Sequence, residues 1–213
     1  MRPEEYANFH LKNFLKNTGI LEKNIHDSRV DLRKYLTVAR STYVLHGKAE
    51  CILKGKKIMK KLGKIRDMDV ITCLKTEDRD SLAVEVVKSF NTLENCFLPK
   101  LYGSRIVIIK SLYNNYIKLL EENDFHKIRK LIRESRFLID SLGYSSLDLK
   151  DISQELGNMR DTYLFQTECQ NLQQKIDYER LRELKEKALV EIRSQIMITN
   201  FIHIKELLTH HLK

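Results

Sequence analysis

Apolar residues recur at three- and four-residue spacing along almost the whole chain, and no segment alternates apolar and polar positions long enough to read as a strand. The pattern predicts helices over 4–17, stopped by Gly19, over 24–46, ending at Gly47, and over 49–62, ending at Gly63. Each glycine stands where a left-handed cap is cheap. Helices over 66–75, 79–94 and 99–122 follow, with Pro99 in the first turn of the last. The remainder reads as 124–142 ending at Gly143, 147–156 ending at Gly157, 159–174, and a long C-terminal helix over 176–211. The expected fold class is all-α.

Composition strengthens this reading. The 213 residues hold only 7 Gly and 2 Pro, about a third of the usual combined share. At 42% hydrophobic and 31% charged, the chain is too apolar for intrinsic disorder. It has no run of about 18 uncharged apolar residues that could span a bilayer. The opening Met1-Arg-Pro-Glu-Glu-Tyr6 is polar, with no apolar stretch leading to a cleavage site, so a cytoplasmic protein is expected. Cys51, Cys73, Cys96 and Cys169 form no Cys-x-x-Cys pair. They read as buried inert thiols, not as a zinc ribbon or a disulfide framework.

Two pieces of the string occur twice. His26-x-x-Arg29-x-x-x-Arg33 returns as His126-x-x-Arg129-x-x-x-Arg133, and Leu62-Gly-Lys-Ile-Arg-Asp67 returns as Leu156-Gly-Asn-Met-Arg-Asp161. The order is kept, so an internal duplication is the simplest account: two tandem four-helix bundles, about 1–123 and 124–213, related by a pseudo-twofold within one domain.

On a helix, His126, Arg129, Arg133 and Arg136 fall within about 80° of one another, beside an apolar arc of Ile128, Ile132, Ile139 and Leu142. His26, Arg29, Arg33 and Arg40 fall within about 60°, with Leu32, Tyr35, Leu36, Ala39 and Tyr43 on the same side. A solvated face normally mixes charge signs, but no acid interrupts the first stripe, since Asp27 and Asp31 project elsewhere. A pseudo-twofold would turn both stripes toward one cationic groove.

The duplicated His-x-x-Arg-x-x-x-Arg helix, each copy followed by Leu-Gly-x-x-Arg-Asp, resembles the CHAD family, the conserved histidine α-helical domain. The resemblance covers nearly the whole chain. It implies two four-helix bundles around a basic cavity that binds inorganic polyphosphate without catalysis, cofactor or metal. A polyphosphate-metabolising enzyme or granule is a further partner class that it suggests. Two positions depart from the family pattern: Leu36 stands where a third Arg is frequent, and Glu134 breaks the dibasic pair.

The expected contact set is His26, Arg29, Arg33, Lys34 and Arg40 in the first copy, and His126, Arg129, Lys130, Arg133 and Arg136 in the second. Lys57, Lys61 and Lys64, on the helix after the first stripe, extend the groove. Arg182 and Lys185 of the C-terminal helix are outer candidates, because glutamates interleave with them. Linear polyphosphate carries about one negative charge per phosphate and no base, so it asks for repeated cationic donors and no stacking platform. A His among arginines is pushed toward neutrality until a phosphate favours its protonated form. Asp67 and Asp161 read as residues that cap or pair a helix junction.

Three rival readings remain. The +9 net charge fits a nucleic acid as well, but single-strand binders interleave aromatics with their cations. Only Tyr35, Tyr43 and Phe137 lie in the stripes, and the two tyrosines phase with the core. A metal or phosphotransfer role for His26 or His126 lacks a Cys or second His one turn away. His203, His210 and His211 near the tail are the remaining metal candidates. No Glu-x-Glu-x-Lys signature and no Gly-x-x-x-x-Gly-Lys loop occurs. A helical adaptor would instead need an exposed apolar patch.

Overall fold

The computed structural model describes residues 1–170 and 176–210, with only the backbone of 72 and 199–210. His203, His210 and His211 therefore lie outside the described side chains. Pro3, tolerated in a first turn, opens α1 (Pro3–Lys16). Then come α2 (Glu22–Ser41), a single turn α3 (Tyr43–His46), α4 (Ala49–Val70) and α5 (Arg79–Lys88). The second half holds α6 (Ser104–Glu121), α7 (Phe125–Ser141), α8 (Leu147–Cys169) and α9 (Tyr178–His210). Short 3-10 helices cover Thr72–Leu74 and Ser89–Leu93, and the described residues contain no strand. The fold is all-helical, as expected.

Local chemistry sets several of the ends. Gly47 and Gly143 close helices at φ 65° and 88°, where only glycine is relaxed. Asp124 accepts from the Lys127 amide at 2.8 Å, and Ser146 from the Leu149 amide at 3.1 Å, capping α7 and α8. Gly63 and Gly157 correct the sequence expectation. Each sits inside a continuous helix, so the pairs 49–62 with 66–75 and 147–156 with 159–174 are the single helices α4 and α8. A glycine weakens a helix by about 1 kcal/mol, which tertiary packing overrides. Pro99 also lies outside a helix, because α6 starts only at Ser104.

Packing follows chain order. In the first half α1 packs on α2, α2 on α4 and α4 on α5; in the second, α6 packs on α7, α7 on α8 and α8 on α9. The halves meet where α2 lies against α7, over one contiguous core that includes Phe14, Tyr35, Phe90, Ile108 and Ile132. Gly55 lets α2 and α4 approach closely, since a Cβ there would meet Leu36 Cδ2 at 2.7 Å. A longer arginine at 36 would compete for that contact.

All four cysteines are paired, which corrects the expectation of free thiols. Cys51 on α4 bonds to Cys96, tying down the segment before α6. Cys73 bonds to Cys169, joining the ends of α4 and α8 across 96 residues of sequence. Pairing across such distances leaves no local spacing signal. Disulfides persist in oxidising surroundings, which stands against the expectation of a cytoplasmic protein. No helix among the described residues is long and apolar enough to cross a membrane.

Candidate polyanion-binding site

The α2–α7 seam brings the two stripes together. Arg29 and Arg33 from α2 and Arg129 and Arg133 from α7 are half-buried; others of the set lower the proton affinity of Arg29, Arg33 and Arg133, and Arg160 lowers that of Arg129. Burial is the largest cause, and neighbouring guanidinium charge adds to it. Arg29 is pulled down to about 10 and Arg133 to about 9; Arg33 and Arg129 move in the same direction. A guanidinium does not lose its proton in a protein, so all four carry charge at neutral pH. The Nε atoms of Arg29, Arg129 and Arg133 are buried and hydrogen-bond to nothing among the described residues. A buried donor of this kind is costly unless something else accepts from it.

Two further arginines complete the cluster. Arg66 on α4 and Arg160 on α8 both act electrostatically on Arg29. Their contribution was missed in the sequence because Gly63 and Gly157 read as helix ends, which put each arginine on a different helix. The usable signal was the repeat itself, since Leu-Gly-x-x-Arg-Asp carries an Arg in both copies. Within α4, residues 63, 66 and 67 share one face. A Cβ at Gly63 would sit 4.0 Å from Arg29 Nη2, an ordinary contact that places this turn of α4 beside that guanidinium.

Acids enter at both ends: Glu134 beside Arg133 at one, and Asp67 and Asp161 beside Arg160 at the other. Arg160 donates to Asp67 on α4 at 2.7 Å and to its neighbour Asp161 at 2.8 Å. Burial works against the charge of Arg160, yet these hydrogen bonds raise its proton affinity overall. The pairing role expected of Asp67 and Asp161 is therefore seen, joining α4 to α8. Six arginines against two aspartates and one glutamate leave the cluster with a local excess of positive charge.

The other expected residues fall into distinct places. His26 is exposed at the head of α2, and burial with nearby Arg66 lowers its proton affinity. His126 and Lys130 are exposed on α7. Arg40 donates to Glu134 at 2.6 Å across the seam, so the residue that breaks the dibasic pair supplies a counter-charge. Lys34 and Arg136 belong to a neighbouring network with Asp140 and lie over the Phe137 ring at 5.9 and 5.1 Å. Lys57, Lys61 and Lys64, joined by Lys60, rim an open cleft of about 880 Å³ that reaches Gly63 and Asp67 and is also lined by Met68 and Leu74, although Lys61 pairs with Glu85 at 2.6 Å.

Two outer candidates are not brought to the cluster. Lys185 donates to the carbonyls of Leu120 and Glu122 at 3.1 and 2.6 Å, closing the end of α6. Arg182 is exposed on α9. Both phase with each other on the helix, but α9 packs on α6, α7 and α8, away from the α2–α7 seam. Among the described residues no three His, Cys, Asp or Glu side chains gather as a metal would require.

The fold has a solved counterpart. The chain is similar to the crystal structure of the CHAD domain from the plant Ricinus communis, at TM-score 0.58 and 16% identity over 92% of each chain. It has a CHAD-like fold. No protein-family model matches the chain, and no curated protein matches it significantly in sequence.

Proposed function

We propose that this protein binds inorganic polyphosphate at the arginine cluster and does not turn it over. The observation that carries the reading is the set of buried Nε donors on Arg29, Arg129 and Arg133 that have no partner among the described residues. Guanidinium forks grip phosphate oxygens in pairs, and an anion there would satisfy the donors and offset the mutual repulsion together. The lysine cleft that reaches Asp67 gives a long chain somewhere to continue. Proximity to a polyphosphate-metabolising enzyme or granule suits such a module.

We also read the chain as two copies of one unit, the second beginning with α6 at Ser104 and so before the expected divide at 123. On that division α1 packs on α2 and α2 on α4 as α6 packs on α7 and α7 on α8, and α2 and α7 carry matching stripes. RNA fits the site less well than polyphosphate. Tyr35 is buried with its hydroxyl donating to the Cys96 carbonyl, and Phe137 is buried beneath Lys34 and Arg136, so neither offers a face for base stacking. Tyr43, expected to phase with the core, is instead exposed, but it lies on the single turn α3 beyond the end of α2 and is one ring, not a stacking platform.

The test is competition of long-chain polyphosphate against single-stranded RNA and duplex DNA, at matched phosphate concentration and fixed salt. Polyphosphate is expected to displace both, with no phosphate released over the incubation. Equal preference for RNA would overturn the ligand assignment. Steady phosphate release by the pure protein would overturn the non-catalytic one.

A further inference from the structure

Asp67 occupies an unusual place. Its carboxylate accepts from Arg160 at 2.7 Å, it lies between α4 and α8, and it forms part of the wall of the open lysine cleft. Asp161 accepts from the other terminal nitrogen of the same guanidinium. The Arg160 end of the cluster thus already holds carboxylates, while the Nε donors of Arg29, Arg129 and Arg133 have no partner among the described residues. The side chain of Asp67 is 34% exposed, so it can swing toward water without unpacking the core.

We propose that Asp67, seconded by Asp161, is a resident counter-anion that holds the place of a phosphate at the Arg160 end and gives way to incoming polyphosphate. This rests on the polyphosphate reading and adds a selectivity element to it. Exchanging one carboxylate for one phosphate gains little, because the same hydrogen bonds break and re-form. A carboxylate tethered to a helix also competes at a high effective concentration, about millimolar or above. Free orthophosphate is therefore excluded. A chain anchored on the unpartnered arginines presents its next phosphate at a comparable effective concentration, so it can take the place of Asp67. The electrostatics agree: Asp67 partly restores the proton affinity of Arg29 and Arg129, as a bound anion would.

The experiment is titration of sodium tripolyphosphate into wild type, Asp67→Asn and Glu50→Gln at one ionic strength. Glu50 is an exposed acid paired with Lys54 on the same helix, so its variant makes the same change in net charge. Asp67→Asn is expected to raise tripolyphosphate affinity about tenfold, and Glu50→Gln less than about twofold. Equal rises would reduce the effect to bulk charge and overturn the proposal. A fall in affinity with a folded variant would make Asp67 a structural tie that presents Arg160, and would overturn it as well. Should Asp67→Asn fail to fold, Asp161→Asn keeps the α4–α8 tie, and an unchanged affinity there overturns the proposal. A wild type that binds no polyphosphate of any length contradicts the functional reading instead.

Discussion

Arg133 shows what the site demands of a single residue. Its guanidinium is half-buried beside Arg129 and Arg29, its Nε has no partner among the described residues, and its proton affinity is depressed to about 9. Such a charge works against folding until an anion arrives, because like charges repel and the lost hydration is not replaced. Removing it should therefore stabilise the free protein while weakening binding. Arg133→Met is expected to raise unfolding free energy by about 1 kcal/mol without ligand and to lower polyphosphate affinity about tenfold. Denaturant melts and titrations on the same preparation check both. A variant less stable than wild type would show that Arg133 is satisfied in the free protein.

At the scale of helices, much was legible before any coordinates. The 3.6-residue period located nearly every helix, and the glycines at 47 and 143 ended theirs, because positive φ selects glycine. Gly63 and Gly157 misled for a physical reason: a helix interior tolerates glycine when packing supports the turn on either side. The arginine stripes were readable from spacing, but Arg66 and Arg160 were not, since their role depends on that helical continuity. The disulfides were illegible because Cys73 and Cys169 meet only through the packing of α8 near the end of α4. Open and crowded glycines also differ in a measurable way. A Cβ at Gly157 meets nothing within 4 Å, whereas one at Gly55 runs into Leu36. Gly157→Ala should stabilise by up to about 1 kcal/mol, through helix propensity. Gly55→Ala should destabilise by about 1 kcal/mol or more, through overpacking. Thermal melts of the two variants test the contrast.

Over the whole molecule, charge is distributed unevenly. Residues 1–123 carry 23 Lys and Arg against 15 Asp and Glu, a balance of +8, while the rest carries 15 against 14, a balance of +1. If global attraction held the polyanion, the second half would contribute almost nothing. The structure places Arg129 and Arg133 of that near-neutral half beside Arg29 and Arg33, so local convergence opposes the global trend. Lys12 on α1 and Lys56 on α4, in the strongly basic half, are exposed and lie outside the lysine cleft. The decisive measurement is polyphosphate titration of two double variants at one ionic strength, after both are shown to be folded. Both remove two positive charges. Arg129→Ala with Arg133→Ala should weaken binding about tenfold or more, since each charge-assisted hydrogen bond contributes about 1.5–3 kcal/mol. Lys12→Ala with Lys56→Ala should weaken it by less than about threefold. Equal losses would contradict the account, because binding would then follow total charge and not the arginine cluster.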